Sequence, residues 1–152
     1  DTVDMYTDCY YIENDAIPNA EYQCDLDVGP SFVQRGDELT QLDKGINEFK
    51  SKKYDQALDI FNRYLLSNES NSLVRIYTGL SNYYSGNTIG ALKELTILEN
   101  SSSLDASRAY WYKAFIYLKE DNINKAKQEL EKTIQSPQNY KYMEAKKLLS
   151  EL

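Results

Sequence analysis

From about residue 37 onward, apolar positions recur at three- and four-residue steps and are broken at short intervals by polar clusters. In the stretch Lys44-Gly45-Ile46-Asn47-Glu48-Phe49, and again in Tyr54-Asp55-Gln56-Ala57-Leu58-Asp59-Ile60-Phe61, this spacing gathers the apolar side chains on one face of a helix. The polar clusters Ser51-Lys52-Lys53, Ser85-Gly86-Asn87 and Glu120-Asp121-Asn122 are short enough to join antiparallel neighbours. The pattern predicts helices over 37–51, 54–67, 71–85, 88–99, 103–120 and 123–135, with a seventh, amphipathic segment from Tyr142 to Leu149.

The pattern also repeats. Gly45, Gly79 and Ala114 are separated by 34 and 35 residues, and Ala57, Ala91 and Ala126 keep the same steps. Two small residues twelve apart in every unit have a packing reason: the helices of a hairpin come close only where a side chain is nearly absent. The chain therefore divides into an N-terminal segment, 1–36, three hairpin units near 37–70, 71–104 and 105–138, and a closing helix in 139–152.

In residues 37–138, the order small residue, aromatic, turn, Tyr-Asp-x-Ala-Leu, aromatic resembles the tetratricopeptide repeat. Gly45, Phe49, Tyr54, Ala57, Leu58 and Phe61 match in the first unit, and Gly79, Tyr83, Gly86, Ala91 and Leu92 in the second. The third keeps Ala114, Tyr117, Ala126, Leu130 and Pro137, but has Lys127 where an aliphatic residue is usual, and Lys52-Lys53 in the first unit replaces the usual Gly-Asp. The resemblance implies an all-α fold: a right-handed superhelical stack of three hairpins, closed by a C-terminal capping helix and preceded by an extended tail.

The same resemblance implies a protein- or peptide-binding module without cofactor or metal. It places the first helix of each hairpin on the concave face. That face falls on Leu42, Ile46 and Phe49, then Ile76, Leu80 and Tyr83, then Trp111, Phe115 and Leu118. Members that grip a terminal carboxylate do so with lysine, arginine and asparagine on this face, and here Arg108 stands alone. An amphipathic or aromatic-bearing peptide suits so apolar a row better. The alternatives are a structural scaffold of the bacterial cell envelope and the non-catalytic domain of a larger enzyme. Small envelope-anchored bacterial tetratricopeptide proteins, in which an anchor precedes an acidic linker, are similar in layout and favour the envelope or periplasm over the cytoplasm.

Charge sharpens the view of the N-terminal segment. Residues 1–36 hold eight acids against the single base Arg35, so they carry the whole net charge of −7, and the remainder has sixteen residues of each sign. A neutral body with an acidic tail offers no basic track for phosphates, so nucleic acid and direct membrane contact are not expected. The tail is nevertheless rich in Met5, Tyr6, Tyr10, Tyr11, Ile12, Ile17, Tyr22, Leu26, Phe32 and Val33. Such side chains seek a surface, and the tail is expected to run back along the repeats as a built-in ligand. Cys9 and Cys24 both lie within it, as a disulfide or as two thiols.

Catalytic chemistry finds little purchase. The chain has no histidine, which removes the commonest base for a serine or cysteine nucleophile and the commonest zinc ligand. Glu120-Asp121 and Glu129/Glu131 read as solvated helix faces and not as a paired-carboxylate site. Gly86 and Gly90 lack the spacing and lysine of a phosphate loop. Asn68-Glu69-Ser70 and Asn100-Ser101-Ser102 match a glycosylation pattern too short to decide anything. Of the fourteen tyrosines, Tyr54, Tyr64, Tyr83, Tyr112 and Tyr117 fall on helical spacings that packing explains. No stretch approaches the roughly 18 apolar residues of a spanning helix.

Overall fold

A computed structural model describes residues 36–152, with side chains from Gln41 onward. The expected tail, its docking and the state of Cys9 and Cys24 lie outside the described residues. Within them the fold is all-α, with no strand. The helices are α1 (Gly36–Lys50), α2 (Tyr54–Leu65), α3 (Ser72–Tyr84), α4 (Thr88–Glu99), α5 (Arg108–Lys119), α6 (Ile123–Thr133) and α7 (Tyr142–Glu151).

Three of the connections are built alike. Lys52, Gly86 and Asp121 adopt φ of 64°, 95° and 62°, the left-handed conformation that ends a helix. At each one, two backbone bonds close the preceding helix. Lys52 N–H donates to Phe49 C=O and Lys53 N–H to Glu48 C=O; Gly86 and Asn87 donate to Tyr83 and Asn82; Asp121 and Asn122 donate to Leu118 and Tyr117. Carbonyls that a helix end leaves unpaired are thereby satisfied. The next helix is then capped by an asparagine where one is present: Asn87 Oδ1 accepts from Gly90 N–H, and Asn122 Oδ1 from Lys125 N–H. Lys53, at the corresponding position before α2, makes no such bond.

The largest departure from expectation is the start of α5, at Arg108 and not near 103. Serine hydroxyls hold the preceding residues in turns. Ser101 Oγ donates to Leu98 C=O and accepts from Ser103 N–H, while Ser103 Oγ accepts from Asp105 N–H. Short bonds from Ala106 to Ser103, Arg108 to Asp105 and Tyr110 to Ser107 carry the chain into the helix. Side chains that satisfy the backbone locally compete with helix formation, and here they win.

Contacts group the described chain into two compact units, 36–94 and Leu95–Leu152, with the boundary inside α4. In the first, α2 packs against both α1 and α3. Gly45 is the point of closest approach: a Cβ there would lie 2.6 Å from Phe61 Cε1. Phe61 stacks in turn on Tyr77, with ring centroids 5.5 Å apart, and Ala57, Val74 and Leu80 of the same helices are fully buried as well. An ion pair of 2.7 Å joins Arg75 of α3 to Glu94 of α4.

In the second unit α6 lies between α5 and α7. Its core holds Leu98, Ala109, Tyr112, Ile116, Ala126, Leu130, Ala145 and Leu148. Every residue of α5 from Trp111 to Ile116 is buried, including Lys113. A helix closed to water on almost every side must satisfy any charge it carries internally.

Candidate functional site

The residues expected on a concave face fall into two groups. Leu42, Ile46, Phe49, Ile76 and Leu80 in the first unit, and Trp111, Phe115 and Leu118 in the second, are buried, with at most 6% of their surface exposed. As placed, these eight are core and not an open apolar row. Phe49 shows why: its ring is enclosed by Tyr54, Tyr77 and Tyr84, with centroids 5.4, 5.2 and 6.1 Å away. Apolar side chains on a three- and four-residue spacing meet neighbouring helices before they meet a ligand. Tyr83 and Arg108 are half-buried, and they are the surface positions of the set.

Tyr83 belongs to a continuous aromatic group in the first unit. Tyr54 opens α2, and Tyr83 and Tyr84 close α3. Tyr54 stacks on Tyr84 at 4.9 Å with 26° between the planes, and Tyr83 meets Tyr84 edge-on at 5.6 Å. All three are half-buried, while Phe49 and Tyr77 beneath them are buried. Tyr54 and Tyr84 thus rest on the buried Phe49 ring, and Tyr83 joins them through Tyr84, in stacked, tilted and edge-on geometries. The turn residues Lys52, Lys53, Ser85, Gly86 and Asn87 surround this group and are exposed. Elsewhere in the same unit a shallow depression of about 200 Å³ is lined by Gln41, Ile60, Arg63 and Tyr64.

Arg108 opens α5 in the second unit. Its guanidinium sits 4.3 Å from the centroid of Tyr140, and Nε lies 3.4 Å from Asp105. Burial lowers its proton affinity, but Tyr112, Tyr140 and Asp105 together more than restore it, so the group stays charged. Tyr140 is anchored to the same helix end: its N–H donates to Ser107 Oγ, and its hydroxyl lies 3.4 Å from that of Tyr112. Arg108 therefore fastens the segment before α7 onto α5, a structural task that competes with ligand binding.

A four-membered ion cluster, not anticipated from the sequence, occupies the same unit. Lys113 Nζ lies 2.8 Å from Glu99 and 3.5 Å from Glu129, and Lys132 Nζ lies 3.1 Å from Glu99 and 3.3 Å from Glu129. Glu129 was expected on a solvated face but is buried, whereas Glu120, Asp121 and Glu131 are exposed as expected. Burial pushes the Glu99 carboxyl up, yet hydrogen bonds from Lys113 and Lys132 outweigh it and hold the group below the ordinary carboxylate range. For Lys132, burial lowers the proton affinity, and the bond to Glu99 with the charge of Glu129 raises it further than burial depresses it. Two charges of each sign, mutually bonded, make a lock and leave no lone acid or base for proton transfer.

Among the described residues no group of three or more histidine, cysteine, aspartate or glutamate side chains is arranged to hold a metal ion. Among them, too, no helix is long and apolar enough to cross a membrane. Comparison with models of known protein families, with curated proteins and with solved structures gives no match.

Proposed function

We propose that the chain is a protein- or peptide-binding module of tetratricopeptide type, its hairpins stacked in a right-handed superhelix and α7 serving as the cap. The observation that carries this reading is the left-handed turn residue at 52, 86 and 121, which recurs at steps of 34 and 35 and closes the same pair of bonds each time. Those steps are in phase with Gly45, Gly79 and Ala114. A hairpin of this kind cannot bury its apolar face alone, and an array of them exists to present a surface. Buried Leu42, Ile46, Phe49, Ile76, Leu80, Trp111, Phe115 and Leu118 then build the scaffold. Recognition falls to the half-buried aromatic positions, Tyr83 foremost, which offer rigid area and a polar tip at low entropic cost.

The test is crosslinking pull-down from the native source with the full chain and with Tyr83→Ala, using Lys93→Ala as an exposed control. The expected result is a partner recovered by the parent and the control and lost with Tyr83→Ala at unchanged melting temperature. An identical set of captured proteins for all three removes Tyr83 from recognition and, if that set is empty, removes the binding reading.

A further inference from the structure

The short segment between α6 and α7 is tied to both of the helices it passes. Asn139 Nδ2 donates to the Lys132 and Thr133 carbonyls at 3.3 and 3.0 Å, which closes the end of α6. The next residue reaches the other way, to the start of α5. Tyr140 N–H donates to Ser107 Oγ at 3.0 Å, and its ring carries the Arg108 guanidinium at 4.3 Å. Ser107 stands at the N-cap position of α5, where a serine hydroxyl ordinarily accepts from the N–H two or three residues on, yet it makes no such bond. The hydroxyl that would cap α5 holds the strap leading into α7 instead.

What the strap holds is weakly anchored in its own right. Helix α7 has ten residues, too few for a helix to persist by itself in water, and only Ala145 and Leu148 of it are buried. Lys141, at its N-cap, has φ of 60°, a left-handed backbone that a lysine keeps only where its surroundings impose it. By contrast, α5 is buried without a break from Trp111 to Ile116. We propose that α7 is a lid on α6, latched by Ser107, Arg108 and Tyr140, which opens as a unit while α5 and α6 stay folded. On opening, Ser107 Oγ passes from Tyr140 N–H to Tyr110 N–H and caps α5, so part of the lost bonding is recovered. Lys141 leaves its left-handed backbone, and the strip of α6 beneath Ala145 and Leu148 is uncovered. Moving elements of a fold are drawn from such low-stability segments. The latch shares no residue with the Tyr83 group and opens whether or not a partner binds there.

Amide exchange of the full chain under native conditions, resolved by peptide mass spectrometry, tests the lid. Segment 142–151 is expected to exchange at least about tenfold faster than 123–133. Tyr140→Ala removes the ring under Arg108 and should speed 142–151 by roughly a further threefold to fivefold, the effect of one lost cation–π contact. Ser107→Ala removes the acceptor and should speed it by about fivefold, the effect of one lost hydrogen bond. Both should leave 123–133 as before, and Tyr140→Phe, which keeps the ring and the N–H, should match the parent. A serine that only capped α5 would give another pattern, with Ser107→Ala speeding the first turn of α5 and sparing α7. That pattern, a common rate for 142–151 and 123–133 in the parent, or a 142–151 rate indifferent to both Tyr140→Ala and Ser107→Ala would each overturn the lid.

Discussion

Lys113 Nζ lies 2.8 Å from Glu99 in a side-chain environment where the lysine is only 9% exposed and the glutamate 15%. Together with Glu129 and Lys132 this pair joins the end of α4 to α5 and α6. Such a cluster stabilises less by its own attraction than by the cost of breaking it, because removing one member leaves a buried charge uncompensated. Lys113→Ala is therefore expected to cost about 3 kcal/mol, the low end for a buried pair, since Lys132 remains to face both carboxylates. Denaturant unfolding measures it, and a loss below that of an exposed lysine such as Lys146 would show the cluster to be idle.

The cluster also sets a pH window. Glu99 titrates below its ordinary 4.5 in the folded chain, so its contribution is present above that pH and fades as the pH falls through the lowered value. Lys132 titrates above its ordinary 10.5, so its contribution is complete below that pH and is lost as the pH rises through the raised value. Melting temperatures from acid to alkaline pH should show the acid limb shallower in Glu99→Gln than in the parent. Identical acid limbs would remove Glu99 from the linkage.

The turn at Lys52 carries two correctable costs. A side chain with φ of 64° is disfavoured by about 1 kcal/mol relative to glycine, and Lys53 leaves the start of α2 without a side-chain cap, worth about 1 kcal/mol more. Gly86-Asn87 at the second turn has both solutions. Lys52→Gly with Lys53→Asn should therefore raise the melting temperature by several degrees, whereas Asp121→Gly should gain less, because aspartate tolerates this conformation better than lysine. Calorimetry decides between the two.

Gly45 tests the close approach of α1 and α2. With Phe61 Cε1 only 2.6 Å from where its Cβ would stand, Gly45→Leu should cost at least about 1–3 kcal/mol through overpacking, and Lys93→Leu, on an exposed position, should not. Gly45→Ala should fall between them, since the helix gains propensity while one ring edge is forced to move. Equal melting curves for both leucine variants would contradict the packing on which the repeat reading rests.

Among the described residues, helix number, the turns and most boundaries were legible because they rest on local chemistry: small residues at fixed steps, glycine or a polar residue at each left-handed turn, and asparagine before the next helix at two of the three. The start of α5 was not, because Ser101 and Ser103 bond to backbone that a periodicity count assigns to the helix. Spacing showed which face of α1 and α5 is apolar, but not whether another surface covers that face. Leu42 and Trp111 consequently read as groove and stand in the core. The ion cluster draws on residues 99, 113, 129 and 132, whose proximity no local pattern encodes. One signal was present: Lys113 interrupts the apolar run Tyr110–Leu118, and a lone lysine there demands carboxylates nearby.

Trp111 and Tyr83 separate scaffold from surface. Trp111 is 3% exposed, and truncation of a buried indole typically costs about 3–5 kcal/mol, so Trp111→Ala should lower the melting temperature steeply. Tyr83 is half-buried at the end of α3, where its ring meets Tyr84 edge-on, and should lose less stability on truncation than the buried indole. The same two variants are then read for partner capture at a temperature where both remain folded. Trp111→Ala should keep whatever Tyr83→Ala loses, because an indole without surface has nothing to offer a ligand. If Trp111→Ala instead melts like the parent and abolishes capture, the indole faces the partner, and the division between buried scaffold and half-buried recognition residues is drawn in the wrong place.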